Sequence, residues 1–187
     1  GWGPNFLAFG LQLSDDFAGR NSYQLGVEYT RTGLNRWGGE WRTRGEIGRI
    51  TGLRTEFFQP AGDRGQFFGF PFIEYRAFDQ DLRLEDVTFA TARLRRYQAG
   101  IDVGWEPTPL HRAYLGISRS RGRASLLVGV PGDQDGVTED NGSFRIGFIR
   151  DSLDDANFPS SGGRLDTLLL LNRDVLGADG EGEIFDL

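Results

Sequence analysis

The 187 residues carry 21 basic and 27 acidic side chains for a formal charge of −6, with no cysteine and no methionine, and every basic residue is Arg. This acidic balance, with Arg interleaved among Glu and Asp, argues against nucleic acid as a partner, because phosphate neutralisation needs clustered positive charge. Zero cysteine removes disulfide staples and thiolate zinc sites.

The longest apolar run, Leu168 to Leu171, is only four residues, so a spanning helix of ~18 or more apolar residues is excluded. A membrane barrel is not, since alternating strands dilute hydropathy by half. The length suits one domain with a sizeable core or part of a larger one. With no initiator Met and no signal peptide or charged leader at Gly1-Trp2-Gly3, the expectation is a piece of a longer protein.

Ten strand-like segments are expected in chain order. Residues 5–14 place Leu7, Phe9, Leu11 and Leu13 on one face, against Gly10 and Gln12. After a polar loop, 15–20, residues 21–31 alternate Tyr23, Leu25, Val27 and Tyr29 with Gln24, Gly26, Glu28 and Thr30. That is a strand with two opposed faces. A short turn at 33–35 leads into 37–48, where Gly39, Trp41, Thr43, Gly45 and Ile47 oppose Glu40, Arg42, Arg44 and Glu46. Segments 53–59 and 66–78 flank the turn 60–65, and a long polar loop is expected at 79–87.

Residues 95–105 set Tyr97, Ala99, Ile101, Val103 and Trp105 opposite Arg96, Gln98, Gly100, Asp102 and Gly104. Pro107 and Pro109 then force a turn. Residues 112–130 read either as one strand with a bulge near Gly122 or as two short strands around it, and two would flip the sidedness of everything later. A loop at 131–141 precedes 143–150, with Phe144, Ile146 and Phe148 on one parity. The turn 151–163 leads to a strand at 165–172, and 183–187 reads as a strand cut short.

Alternation alone leaves two architectures open. A soluble lipocalin-like barrel puts Tyr23, Leu25 and Val27 inside around a small apolar ligand, whereas a membrane barrel turns them to lipid. Three features favour the membrane. The polar faces carry Glu and Arg of both signs with Gly between them. Trp37, Trp41, Tyr97 and Trp105 include rings near strand ends, where an aromatic girdle lies. Ten successive strands also exceed the about eight of a small filled barrel.

One stretch is more specific. Residues Asp151 to Arg164 read D-x-x-D-x-x-x-F-P-x-x-G, with Asp151, Asp154, Phe158, Pro159 and Gly162 at the named positions. This resembles the turn before a mid-barrel strand in the BamA/TamA superfamily of outer-membrane barrels, where the pattern ends in F-P-T-x-G. Ser160 stands in place of the Thr, and Gly163 adds a second Gly. The opening Trp2-Gly3-Pro4-Asn5-Phe6-Leu7, with Leu13-Ser14-Asp15-Asp16-Phe17 and Glu56-Phe57-Phe58-Gln59-Pro60, is similar to bacterial patatin-like phospholipases that carry such a barrel at their C-terminus. The physics of the turn stands apart from the family: Pro159 ends pairing, Gly162 and Gly163 allow positive φ, and Asp151, Asp154 and Asp155 accept loop N–H groups.

The resemblance covers nearly the whole chain and implies a Gram-negative outer-membrane location. It implies an up-and-down antiparallel transmembrane β-barrel of about 16 strands, preceded by periplasmic POTRA domains. This chain would supply about ten strands from the first as an open, curled sheet with unpaired edges. The later strands and the loop bearing the family's R-G-F motif would lie outside it. The partners implied are outer-membrane lipid and a covalently linked upstream POTRA or passenger domain, and the role is anchoring, with secretion or assembly of the passenger in addition.

No catalytic, cofactor or metal site is expected in these residues. A patatin-type lipase needs a Ser on a G-x-S-x-G elbow and an Asp in D-G-[GA]. Gly116-Ile117-Ser118-Arg119-Ser120 lacks the second Gly, and Asp135-Gly136-Val137 lacks the small third residue. Hydrolase activity implied by the resemblance would therefore reside upstream. His111, the only His, has no neighbouring Ser or carboxylate. Asp133, Asp135, Glu139 and Asp140 place Gly136 too early for a calcium loop. Glu28, Glu40, Arg42, Arg44, Glu46, Arg96, Asp102 and Arg145 share the parity opposite the apolar residues, and are expected to line a hydrated lumen as mixed-sign pairs.

Overall fold

A computed structural model describes residues 4–15, 21–84, 87–128, 136–154, 160–173, 176 and 182–186. Among them the chain is all-β. The strands are β1 (Asn5–Asp15), β2 (Asn21–Arg31), β3 (Glu40–Gly48), β4 (Ile50–Ala61), β5 (Phe67–Leu84), β6 (Val87–Thr108), β7 (His111–Val128), β8 (Val137–Asp151), β9 (Arg164–Asn172) and β10 (Gly182–Asp186). They form one sheet in sequence order, each antiparallel to the next, open between β1 and β10. This is the up-and-down succession that the repeated alternation predicts.

The strands differ in length for a physical reason. β1 to β4 run 9 to 12 residues, whereas β5, β6 and β7 run 18, 22 and 18. Residues 79–84, expected as loop, continue the β5 ladder with Asp79 opposite Arg93, Gln80 opposite Ala92 and Asp81 opposite Thr91. Arg93 forks onto Asp79 at 2.7 and 2.8 Å, and the Thr91 hydroxyl donates to Asp81 at 3.0 Å. Polar pairs thus line the convex side of this extension, while Ala90 and Ala92 on its other side are buried. Residues 137–141 and the start of β6, both expected outside strands, likewise lie within strands.

Two further boundaries move. Residues 37–39 belong to a turn, because Asn35 Oδ1 accepts from the N–H groups of Trp37 and Gly39 at 3.0 Å each. Gly38 there takes a φ of 80°. Of the 112–130 segment, residues 112–128 form one strand, and 129–130 lie outside the described residues. Gly122 pairs in unbroken register between Arg96 and Glu139, and the irregularities fall near Val128 and at the 105–108 turn. The parity of everything after it is therefore not flipped.

The sheet is curled. Phe72 on β5 and Arg145 on β8 stand three strand steps apart, about 14 Å in a flat sheet, yet the Arg145 guanidinium lies 4.8 Å from the Phe72 ring centroid. Arg112 of β7 likewise reaches over Phe68 of β5 at 5.4 Å. Such convergence belongs to the concave side.

Glycines opposite large side chains make it possible. A Cβ at Gly104 would stand 2.3 Å from the Phe68 ring, one at Gly147 2.1 Å from Tyr114, and one at Gly116 1.8 Å from Asp102 Oδ1. At Gly122 the nearest atom would be 3.8 Å away. Gly116→Ala is therefore expected to lower stability by roughly 2 kcal/mol or more, and Gly122→Ala to stay within about 0.5 kcal/mol. Denaturant unfolding of the two variants in detergent measures the difference.

Candidate functional site

The two faces of the sheet are inverted relative to a soluble domain. Apolar side chains on the convex face stand open, with Phe9 71%, Ile73 63% and Leu115 58% exposed. On the concave face the Asp102 and Arg145 side chains are only 13% and 15% exposed, and Phe72 only 3%.

The concave face holds a chain of alternating charges. Arg42 bonds Glu56 at 3.2 Å and lies 3.7 Å from Glu28, onto which Arg44 also folds. Arg54 bridges Glu56 and Glu74 at 2.8 and 2.6 Å. Arg76 continues it from Glu74 at 3.2 Å to Glu46 at 3.8 Å, and Gln24 closes on Glu46 at 3.3 Å. A second pair, Asp102 with Arg145 at 2.7 Å, crosses β7 through the space left by Gly116. Phe72 joins the two, because the guanidiniums of Arg54 and Arg145 lie 4.5 and 4.8 Å from its ring centroid. Cation–π attraction and full burial of the ring act together there.

Six of the eight predicted lumen charges thus find opposite charges: Glu28, Arg42, Arg44, Glu46, Asp102 and Arg145. Glu40 lines a cavity of about 350 Å³ with Phe58, Phe70 and Tyr114, and it forms no ion pair among the described residues. Arg96 shares the same face but stands opposite Arg76 in register. Sequence reasoning missed Arg54, Glu56, Glu74 and Arg76, although their parity opposite Leu53, Thr55 and Tyr75 carries the signal. It also missed Phe68, Phe70 and Phe72, because the run from Phe67 to Ile73 is apolar on both parities.

The described residues of the turn motif are cross-bonded. Asp154 Oδ1 accepts the N–H groups of Ser160 at 2.9 Å and Ser161 at 3.1 Å, while its Oδ2 accepts the Ser160 hydroxyl. Asp151 accepts Leu153 N–H at 3.2 Å and pairs with Arg164 at 3.4 Å. Gly162 takes a φ of 95°, and a Cβ there would lie 2.0 Å from the Ser152 carbonyl oxygen. Gly163, expected to share the positive φ, does not, because its N–H and C=O both bond Ser152 as β9 begins. Phe158, Pro159 and Asp155 lie outside the described residues.

Sites weighed for chemistry resolve locally. Ser118 sits within β7, not on a strand-to-helix elbow, and its hydroxyl bonds Ser143 at 3.0 Å and Gln98 at 3.1 Å. His111 Nδ1 is 3.0 Å from the Thr108 hydroxyl in the β6–β7 turn. No cluster of three or more metal-ligating side chains occurs among the described residues, and Asp133 and Asp135 lie outside them. No protein-family model matches the chain, and no curated protein does.

Two outcomes are expected. Asp102→Asn or Arg145→Met leaves its partner charged and half enclosed, costing about 3 kcal/mol each, and the double variant should lose much less than the sum. A double-mutant cycle on unfolding midpoints measures that coupling. In the turn, the bonds from Ser160 and Ser161 hold the Asp154 carboxyl well below the usual carboxylate range. A depressed carboxyl stabilises fully above its unfolded value near 4 and loses that contribution as pH falls toward the folded value. The difference between the native protein and Asp154→Asn should therefore be constant at neutral pH and shrink below about pH 4, as read by unfolding midpoints across pH.

Proposed function

We propose that this chain forms part of the wall of a bacterial outer-membrane β-barrel that anchors a covalently linked passenger domain and assists its passage or assembly. The observation that carries this reading is the convex apolar band and its slant across the sheet. Leu7, Phe9, Leu11 and Leu13 of β1 stand beside Tyr29, Val27, Leu25 and Tyr23 of β2. Farther along, the band runs through Val103, Leu115, Ile146 and Leu169.

The cross-strand row of Leu7 passes through Tyr29, Thr43, Thr55, Ile73 and Ala99, and reaches Arg119. A row that starts apolar ends cationic. Strands tilted to a barrel axis produce this, since a horizontal apolar layer then cuts obliquely across perpendicular hydrogen-bonded rows.

Three more features support it. Large apolar side chains stand exposed in adjoining rows across β1 to β3, where a soluble monomer exposes them singly or in small patches. β1 to β3 match the ~9–11 residues needed to cross a bilayer. Aromatic rings mark the band's margins, with Trp41 against Phe57 at 6.3 Å on one side and Tyr75 against Tyr97 at 4.8 Å on the other. A soluble barrel around an apolar ligand needs Tyr23, Leu25 and Tyr29 on the concave side, whereas they are exposed on the convex one.

The 151–164 turn and the two Phe-containing stretches supply the narrower proposal, a patatin-like phospholipase whose Ser-Asp dyad lies upstream. The Ser160 hydroxyl on Asp154 fits it, because the Thr of the resembling pattern offers the same donor.

Site-directed labelling tests the orientation. After reconstitution of the full-length protein in vesicles, cysteines at Leu25, Val103 and Leu115 should react with a lipid-soluble reagent, and cysteines at Glu28 and Gln98 with a water-soluble one. The reverse pattern rejects the membrane assignment.

A further inference from the structure

We propose that Arg95, Arg121 and Arg123, on the convex face immediately beyond the apolar band, form a docking surface for the phosphate groups of an anionic lipid headgroup. The inference rests on the membrane reading above and adds to it a lipid chemistry and a side of the bilayer. The side is the one toward which β5 to β8 overshoot, where the 84–87 and 128–137 connections lie.

Arg95 and Arg123 face each other directly across β6 and β7. Like charges at that position repel, and neither has a carboxylate within ion-pair distance among the described residues. The next row toward the band sets Tyr97 opposite Arg121 and Arg121 opposite Asp140. Asp140 is shared by Arg121 at 3.2 Å and Arg119 at 3.8 Å. The concave face behaves otherwise, with nearly every guanidinium there on a carboxylate. On this outward rim, Arg95 and Arg123 thus stand as a like-charged pair directly opposite each other.

Position gives this pair its meaning. Arg95 lies one outward position past Tyr97, about 7 Å along the strand, which matches the depth of a headgroup layer beyond a bilayer's apolar core. Arg121 and Arg123 are 70% exposed and exposed, respectively, so their forks are open to a ligand. Guanidinium binds phosphate oxygens in bidentate fashion, and lipid phosphates are fixed in the plane where these side chains emerge. A phosphate between Arg95 and Arg123 turns a repulsive pair into two attractions.

The test uses the full-length protein in phosphatidylcholine vesicles with or without phosphatidic acid. Lipid retained on extraction is counted by native mass spectrometry, and brominated lipid quenching of tryptophan reports insertion. The native protein should retain phosphatidic acid over phosphatidylcholine. Arg95→Gln and Arg123→Gln should each lower that preference about fivefold, and together by more, with quenching unchanged. Arg64→Gln, in the β4–β5 turn at the opposite end, should leave the preference intact. Equal retention by native and variant proteins with normal quenching overturns the docking surface and leaves the membrane reading standing. Loss of quenching in the native protein sinks both. Competition by millimolar inorganic phosphate as effective as the lipid itself would show that free anion, and not a headgroup, is the ligand.

Discussion

An ionised side chain turned into the concave face gives up part of its water and recovers that loss only if an opposite charge or a ring face meets it. That constraint organises the sheet. Glu28, Arg42, Glu56, Arg54, Glu74, Arg76 and Glu46 alternate in sign across four adjacent strands, so each carboxylate neighbours a guanidinium on the next strand or two residues along its own. Where the geometry opposes like charges, as at Arg44 and Arg54, each is drawn to a different carboxylate, Glu28 for one and Glu56 with Glu74 for the other.

Curvature and charge depend on one another through glycine. A flat sheet would hold Arg145 too far from Phe72, and a side chain at position 116 would occupy the space where Asp102 meets Arg145. Gly100 and Gly104 serve Phe72 and Phe68 in the same way, leaving the rings free to lie over the neighbouring strand. Glycine in a strand interior is usually a weakness. Here it creates the depressions into which rings and ion pairs settle, and Phe72 between two guanidiniums ties the β2–β5 network to the β6–β8 pair.

Much of the fold was legible because a period of two appears wherever a strand separates two unlike environments. Residues 21–31 and 95–105 show it plainly. The polar runs Asp79 to Asp81 and Thr138 to Asn141 made 79–84 and 137–141 look like loops although their ladders persist. Alternation also fails where both faces are apolar, so Phe68, Phe70 and Phe72 carried no parity signal. The glycines facing two of these rings were visible in the sequence, but only the register reveals which ring each one faces. Of the site charges, those on regular alternating segments were found. Arg54 and Glu56 were overlooked in a strand whose start was placed at 53 and not at Ile50.

The slant of the apolar band links the inner network to the outer rim. If strands stood upright in a flat sheet, the row of Leu7 would stay apolar to its far end, and Arg119 would lie buried in the band. On the proposed membrane reading, strands tilted to a barrel axis would lower β7 relative to β1, so that the same row would leave the apolar layer before it reaches Arg119. The tilt that lets a sheet close on itself would, on that reading, also decide which convex positions on β6 and β7 emerge from the band first. Those positions are occupied by Tyr97 and then Arg95, and by Arg119, Arg121 and Arg123. A ring followed by guanidinium is the order that an apolar layer bounded by a charged one selects.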